Sequence, residues 1–303
     1  MAKRKIRSFD LYSGYSWYAP GISGMFALLG MFLIGAILGS IAVRAMSLIS
    51  SELSDTYGML ISYPVMFIPP MLYASVQSRK NELFETGYAL DSRNFGRFSG
   101  VSLALAVSIA TLALAFIMDG FSVLMPPMPE LLKAMMEKMM TGPVWMTFLL
   151  VSVFAPFFEE WLCRGMILRG LLQKINPVWA IVISSASFAV IHMNPWQAIP
   201  AFALGMLFGY VYYRTGSLKL TMLMHCVNNT FCLAIGHVDQ FKDAESFLDV
   251  MSPVKYWLIF ALCAIMIIYF IYRMQTMVSL PFGQRNACEV LRNDDFTDDT
   301  MNR

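Results

Sequence analysis

The sequence predicts an all-α fold: a polytopic membrane protein with about eight transmembrane helices. Hydrophobic residues make up 57% of the 303-residue chain, whereas charged residues account for only 14%. A soluble chain of this length could not bury so much apolar surface, and this composition is typical of membrane proteins. Several apolar stretches also reach the length of about 17 to 25 residues that a helix needs to cross a bilayer. We therefore expect an integral, multi-pass protein.

Eight apolar stretches are predicted to span the membrane. In chain order they cover residues 21–43, 58–77, 98–118, 144–173, 178–194, 196–213, 217–236 and 255–273. Turn-forming residues separate the later stretches, at Asn176–Pro177, Asn194–Pro195 and Gly216. The fourth stretch is longer than a bilayer requires, and the fifth is short.

The basic residues of the loops predict the orientation of these spans. Lys and Arg accumulate in short loops on the cytoplasmic side of a membrane. With the N-terminus placed inside, 17 of the 22 Lys and Arg residues also fall inside. The five that fall outside are Arg44, Lys133, Lys138, Lys242 and Lys255. The asymmetry predicts an even number of spans with both termini in the cytoplasm.

The chain divides into three predicted regions. Residues 1–20 are basic and aromatic and lack a cleavage-site pattern, so we predict a retained segment at the membrane surface. Residues 21–274 form the helical bundle, and the polar, acidic residues 275–303 are predicted to be a disordered tail. The net charge of +2 gives no indication of a nucleic-acid partner. The compact length and the lack of a targeting signal favour a bacterial cell membrane.

A methionine-rich stretch precedes the fourth span. Residues 130–140 read ELLKAMMEKMM, and helical spacing places most of their apolar side chains on one side. We predict an amphipathic helix that lies in the outer membrane interface. A lid packed on the bundle is the alternative.

Polar residues inside the spans occur as pairs with helical spacing. Glu159 and Glu160 are adjacent carboxylates in an otherwise apolar run, where ionisable groups are costly and mark functional sites. Residues four apart lie on one face of a helix. Three pairs have this spacing: Glu160 with Arg164, Phe188 with His192, and His225 with Asn229.

Chain geometry predicts that these faces meet. If the turn lies at Asn176–Pro177, an antiparallel hairpin places Glu159 and His192 at the same level. For the seventh span the agreement is looser, because a turn near Gly216 puts His225 about 13 Å along its helix, against about 25 Å for Glu159. Tilt, or a kink near Pro156, would close this gap. The spacing thus allows one cluster of polar residues.

Such a cluster suits hydrolysis of a peptide bond by an activated water. A carboxylate and an imidazole, here Glu159 and His192, can take the proton of one water. A second imidazole and an amide, here His225 and Asn229, can donate hydrogen bonds to the oxyanion that forms. The remaining acid, Glu160, would form an architectural ion pair with Arg164, and Phe188 would pack beside the site.

The motifs resemble those of the CPBP intramembrane proteases, the group that contains CAAX prenyl endopeptidases and bacteriocin-processing or immunity proteins. The pattern E-E-x-x-x-R holds Glu159, Glu160 and Arg164. It is followed by F-x-x-x-H and H-x-x-x-N, in that order on successive helices, and all motif positions are filled. The resemblance covers about residues 144–236, and three motifs in this order are more specific than any one alone.

The resemblance implies an eight-helix fold in which a residue matching Glu159 activates water with the help of one matching His192. It assigns the positions of His225 and Asn229 to the oxyanion hole. Zinc is the alternative, because Glu159, His192 and His225 are ligand types that could hold it. The sequence lacks the H-E-x-x-H zinc motif, so we favour a reaction without a metal cofactor.

Other functions remain open at this stage. A single histidine in a membrane helix often only hydrogen-bonds across the bundle. A catalytically silent scaffold or immunity protein could use the same fold to bind a peptide or a sensor kinase, and a transporter or proton relay is a more distant alternative. The four polar residues together favour the protease. The expected partners are the bilayer and a peptide or membrane-protein substrate, whereas the oligomeric state and the membrane face that opens to the site are not predicted.

Overall fold

The computed structural model describes residues 12–82, 89–91, 95–140, 142–241, 244 and 246–276. Every regular element in this part of the chain is a helix, which confirms the predicted all-α class. The predicted disorder of the tail concerns residues that lie outside the described part from 277 onward. Of the predicted surface segment at 1–20, residues 12–20 are described.

The first three helices are longer than their apolar sequences predict. Helix α1 spans Ile22–Ile49, α2 spans Ser51–Asn81 and α3 spans Gly100–Ser122. Hydropathy had indicated only the apolar central part of α2, which extends at both ends into polar sequence. Ser50 accepts a hydrogen bond from the backbone N–H of Leu53 and so caps its first turn.

Helices α1 and α2 pack as a tight antiparallel hairpin. Gly35 lies against the backbone of α2, where an added Cβ would overlap the carbonyl oxygen of Met66. Gly39 lies against Ser62 in the same way, since a Cβ added at Gly39 would be 3.0 Å from the carbonyl oxygen of Ser62. Small residues allow this close approach, which is a common way for membrane helices to associate.

The predicted amphipathic stretch and the fourth span are both helical. Helix α4 spans Glu130–Met140, and α5 runs from Val144 to Leu171. Two stretches of α5 have the wider π-helical geometry, at Leu149–Phe154 and Trp161–Leu168, on either side of the α-helical turn Ala155–Glu160. Such π-helical segments are frequent at functional sites. The hydrophobic pattern did not predict them.

Three further helices surround α5. Helix α6 spans Pro177–Ile191, α7 spans Pro195–Thr215 and α8 spans Leu218–Gly236. Asn176, Asn194 and Ser217 cap their first turns by accepting backbone N–H groups. Gly216 ends α7 in the left-handed region at φ 67°, where glycine is favoured.

The chain ends with a short helix and a long one. Helix α9 spans Phe247–Val250, and α10 spans Pro253–Gln275 and packs against α3. Asp119 of α3 accepts hydrogen bonds from the hydroxyls of Ser246 and Tyr256, at 2.8 and 3.1 Å. These contacts fasten the α8–α10 connection to the bundle.

Six of these helices are long and apolar enough to cross a membrane: α1, α2, α3, α5, α8 and α10. The protein is therefore an integral, multi-pass membrane protein. Helix α6 has only 15 residues, about 22 Å, and α7 has 21 residues but is less apolar. The eight predicted stretches are all helical, while the count of eight spans and the cytoplasmic termini stay predictions.

The N-terminal segment 12–20 is packed into the bundle. The buried guanidinium of Arg169 donates hydrogen bonds to the carbonyl oxygens of Tyr15, Ser16 and Tyr18. Gly170 lies so close to Pro20 that a Cβ would overlap its carbonyl oxygen. The described end of the predicted surface segment is thus held by the end of α5.

Candidate active site

The two adjacent carboxylates occupy the α-helical turn between the π-helical segments of α5. Consecutive helical residues point about 100° apart, so Glu159 and Glu160 face different neighbours. Glu159 faces α2 and is 9% exposed, whereas Glu160 faces α8 and is fully buried. One turn of helix therefore supplies two carboxylates with different surroundings.

Glu160 has two charged or polar partners. Its Oε1 accepts a hydrogen bond from Nη1 of Arg164 at 2.7 Å, in the predicted ion pair. The same oxygen lies 3.2 Å from Nδ1 of His225 on α8. Arg164, which is also fully buried, donates from Nη2 to the carbonyl oxygen of Gly205 on α7 at 3.2 Å. An unpaired charge at this depth would be costly, so each of the two residues needs the other. Through their further contacts, the pair ties α5 to α7 and α8.

Phe188 lies at the centre of the site. Its ring meets the imidazoles of His192 and His225 edge-on, with ring centroids 5.0 and 5.4 Å apart. The guanidinium carbon of Arg164 lies 4.3 Å from its ring centroid, in a cation–π contact. The sequence predicted packing beside the site, and the structure shows that Phe188 touches a residue of each motif.

His192 is the residue that directly follows the last turn of α6. Its Nδ1 lies 2.7 Å from the carbonyl oxygen of Phe188. A carbonyl oxygen only accepts, so Nδ1 carries the proton in this contact and Nε2 of the neutral ring is left as an acceptor. His192 is partly exposed.

Asn229 is connected to the first π-helical segment of α5. Its amide Nδ2 donates to the carbonyl oxygen of Val151 at 2.7 Å, and its Oδ1 accepts from Nδ2 of Asn228 at 3.1 Å. One of the two amide hydrogens of Asn229 is used in this way, which leaves the second for another acceptor. Asn229 is thus held in place from both ends of its amide.

Glu159 has one oxygen engaged and one free. Its Oε1 accepts a hydrogen bond from the hydroxyl of Tyr63 on α2. Its Oε2 is buried and has no hydrogen-bond partner. A buried carboxylate oxygen without a partner is costly, and Oε2 of Glu160 is in the same state, so both acids keep an oxygen that could accept a further hydrogen bond.

The predicted alignment of Glu159 with His192 stays a prediction. No hydrogen bond among the described residues joins the two side chains. Ser184 donates to the carbonyl oxygen of Cys163 at 2.8 Å, a contact that ties α6 to α5. Helix α5 ends at Leu171 and α6 begins at Pro177, so the hairpin is centred earlier than assumed.

The zinc alternative requires at least three ligands that converge. Among the described residues, no group of three or more His, Cys, Asp or Glu side chains is arranged to hold a metal ion. His225 contacts Glu160, and Glu159 contacts Tyr63, while the metal-free and zinc alternatives both stay predictions.

The segment around α4 contacts the turn that follows His192. Trp196 donates from Nε1 to the carbonyl oxygen of Pro126 at 2.8 Å. The amide of Asn194 lies 3.5 Å from the sulfur of Met136 on α4. The predicted helix is present, and these contacts agree with the alternative in which it packs as a lid on the bundle.

Three partners of the site were not identified from the sequence. Tyr63 carries a hydroxyl in the middle of an apolar helix, which is a weak signal, and α2 contains none of the motifs. The acceptors at Gly205 and Val151 are backbone carbonyls, which leave no trace in the residue type.

Comparisons with known proteins match the part of the chain that carries these motifs. Residues 141–231 match the family model described as "Type II CAAX prenyl endopeptidase Rce1-like". A Bacillus subtilis (strain 168) protein named "Putative membrane peptidase YdiL" is 28% identical over 101 residues. That match covers 33% of this chain and 40% of the relative. No solved structure matches the chain.

The matched segment contains every motif residue from Glu159 to Asn229 and the helices that position them. The fold is that of a multi-pass membrane protein, and the segment that carries the motifs is similar to membrane proteases. The two matches confirm the resemblance to CPBP intramembrane proteases. At the level of the family, they support a membrane protease.

Proposed function

We propose that this protein is an intramembrane endopeptidase that hydrolyses a peptide bond of a membrane-associated peptide or protein. The observation that carries the proposal is the convergence of three motifs on Phe188 within the segment matched to the protease family. A structural bundle has no physical need for two carboxylates, two imidazoles and an amide at one place, because each is costly to bury in a membrane.

In the proposed reaction, Glu159 and His192 activate a water. The unpartnered Oε2 of Glu159 and the Nε2 of His192 are both acceptors, so a water donating to them would be oriented and polarised. The water oxygen attacks the carbonyl carbon while its proton passes to one of these groups. The same proton then moves to the leaving amine as the peptide bond breaks. Atoms and charge balance without any further reactant.

The developing oxyanion would be stabilised from α8. Asn229 has a second amide hydrogen to donate, and His225 can donate from Nε2 when its ring carries both protons. Its Nδ1 lies 3.2 Å from Oε1 of Glu160, a contact that orients the ring. Donors of this kind typically contribute about 3 to 4 kcal/mol of barrier reduction.

The depth of the site supports a substrate that is itself in or on the membrane. Glu159 lies about 18 Å from the end of α5 at Leu171, measured along the helix. A soluble polypeptide would have to enter the bundle to that depth. A transmembrane or lipid-anchored segment already lies within the bilayer. Leader peptides, bacteriocin precursors and prenylated CAAX peptides are the candidate substrates.

We propose that the reaction needs no metal cofactor. The test is cleavage of a library of membrane peptides by purified protein in liposomes, with and without the zinc chelator 1,10-phenanthroline. The library includes leader, bacteriocin-precursor and prenylated CAAX peptides. We expect wild-type cleavage to persist in chelator and the Glu159→Ala variant to be inactive but folded.

The matched control is Glu52→Gln, which removes an exposed carboxylate from the first turn of α2 and should cleave at the wild-type rate. Loss of wild-type activity in chelator would overturn the metal-free mechanism. Full activity of Glu159→Ala would overturn the role of Glu159. If folded wild-type protein cuts no peptide in the library, the protease proposal fails in favour of a binding scaffold.

A further inference from the structure

Tyr63 belongs to none of the three motifs and lies outside the segment 141–231 that matches the protease family. It is nevertheless the side chain that hydrogen-bonds Glu159, and no other described residue does so. The contact crosses from α2 to α5, over a sequence separation of 96 residues. The family segment alone therefore lacks a direct partner of its proposed water-activating carboxylate.

A run of aromatic contacts holds Tyr63 in place. Its ring centroid lies 5.6 Å from that of Phe67, one turn further along α2. Phe67 is stacked on Phe158 of α5 at 5.0 Å, and Phe32 of α1 meets Phe67 edge-on at 5.2 Å. Phe158 directly precedes Glu159, so the stack fixes the two helices on either side of the hydroxyl–carboxylate bond.

The bond makes the two oxygens of Glu159 unequal. Oε1 accepts the Tyr63 hydroxyl, whereas Oε2 is buried without a partner. An unrestrained glutamate could rotate and exchange its oxygens, and that freedom costs rate because the reacting groups must be held in one geometry. With Oε1 held, Oε2 is the oxygen left to accept from water.

We propose that Tyr63 is a positioning residue that fixes the Glu159 carboxylate so that Oε2 faces the reacting water. This inference rests on the proposed function, because it assigns no reaction of its own to the tyrosine. It extends the working site from the family segment to the α1–α2 hairpin. The hairpin is then part of the catalytic architecture.

The first test is the Tyr63→Phe variant, which removes the hydroxyl and keeps the ring. The probe is the library peptide that wild-type protein cuts fastest. We expect kcat to fall by about 10- to 100-fold, the range set by one hydrogen bond to a charged group. KM should stay within about twofold, because Tyr63 acts through Glu159 and not on the ground-state substrate.

Tyr73→Phe is the matched control, since it removes a partly buried hydroxyl from the same helix. Its ring packs against Tyr18, and it makes no contact with Glu159. We expect its kcat to equal that of the wild type. Unchanged kcat in Tyr63→Phe, or an equal loss in Tyr73→Phe, would overturn the positioning role.

The second test measures the bond without any substrate. Unfolding temperatures of Tyr63→Phe, Glu159→Met and the double variant form a double-mutant cycle. We expect Tyr63→Phe to lower the unfolding temperature of the wild type but not that of Glu159→Met, where the hydroxyl has already lost its acceptor. Additive effects would mean that the bond is absent in the folded protein and would overturn the inference.

The two tests separate this inference from the function on which it rests. A coupled cycle together with wild-type kcat in Tyr63→Phe would show a bond that serves stability only, which overturns the positioning role. A coupled cycle in a protein that cuts no peptide would overturn the protease and the positioning role together. Coupling with a reduced kcat supports both.

Discussion

Glu160 and Arg164 form a pair of opposite charges that are both fully buried. Burial of such a pair gains little on balance, but removal of one partner leaves an uncompensated charge. The pair also links three helices, since Arg164 reaches Gly205 on α7 and Glu160 reaches His225 on α8. We therefore expect the loss of either residue to lower the free energy of unfolding first, and the activity only as a consequence.

We expect Arg164→Met to lower the free energy of unfolding by about 3 to 5 kcal/mol, the usual cost of breaking a buried ion pair. The measurement is thermal unfolding in detergent. Arg44→Met is the control, because Arg44 is exposed on α1 and has no ion-pair partner in the described structure. The double variant Glu160→Met/Arg164→Met should recover part of the loss. If Arg164→Met is as stable as the wild type, the architectural role of the Glu160–Arg164 pair is contradicted.

For Asn229 we expect an effect on activity, because its amide is proposed to stabilise the transition state. We expect Asn229→Ala to lower kcat by about 10²- to 10³-fold with little change in KM. Asn228→Ala removes only the bond to Oδ1 of Asn229 and should have a much smaller effect. A raised KM at unchanged kcat would instead place Asn229 in substrate binding.

The residues of the site were predictable to the extent that side-chain type and helical spacing carry the information. Glu160 with Arg164, and His192 with Phe188, are local pairs, so spacing was enough. Tyr63 was not predictable, because its partner is 96 residues away and the sequence holds no signal that joins α2 to α5. The carbonyl of Val151 carries no residue-specific signal either.

At the scale of elements, the α1–α2 hairpin depends on close backbone contact. Gly35 and Met66 are near enough to leave no space for a methyl group. The same hairpin carries Tyr63. A movement of α1 away from α2, or of the hairpin away from α5, would therefore disturb the site as well as the packing.

We expect Gly35→Ala to lower the unfolding temperature clearly, since the added methyl group must push α1 away from α2. Gly30→Ala is the matched control on the same helix, because a Cβ there meets nothing within 4 Å. That substitution should leave the unfolding temperature unchanged or raised, as alanine is the better helix former by about 1 kcal/mol. Equal unfolding temperatures for the two variants would contradict the tight hairpin.

The elements show what hydropathy can and cannot provide. Apolar length was sufficient for every long helix, because each has an apolar central part. It was not sufficient for the polar ends of α2 or for the π-helical segments of α5, which depend on contacts with other helices. The centre of the α5–α6 hairpin was also beyond hydropathy, since it depends on where α5 ends.

At the scale of the whole molecule, the orientation of the bundle is a prediction that an experiment can settle. We expect both termini in the cytoplasm and the α3–α4 connection on the outer side, from the distribution of Lys and Arg. A green fluorescent protein fused after Arg303 should therefore fluoresce. Alkaline phosphatase inserted after Leu124, an exposed position, should be active.

The matched controls exchange the two reporters between these sites, and both should then be silent. A fluorescent reporter after Leu124 together with an active phosphatase after Arg303 would show that the bundle has the opposite orientation. It would also reverse the side from which α4 and its contacts with Asn194 and Trp196 are reached.

The contacts between Arg169 and the segment at Tyr15–Tyr18 have a consequence for the order of assembly during synthesis. The partners are separated by 151 to 154 residues, so this segment leaves the ribosome long before α5, which carries the donor Arg169, is made. At about 5 to 20 residues per second, this delay lasts roughly 8 to 30 seconds. The segment at Tyr15–Tyr18 therefore waits for its partner, and its docking follows the insertion of α5.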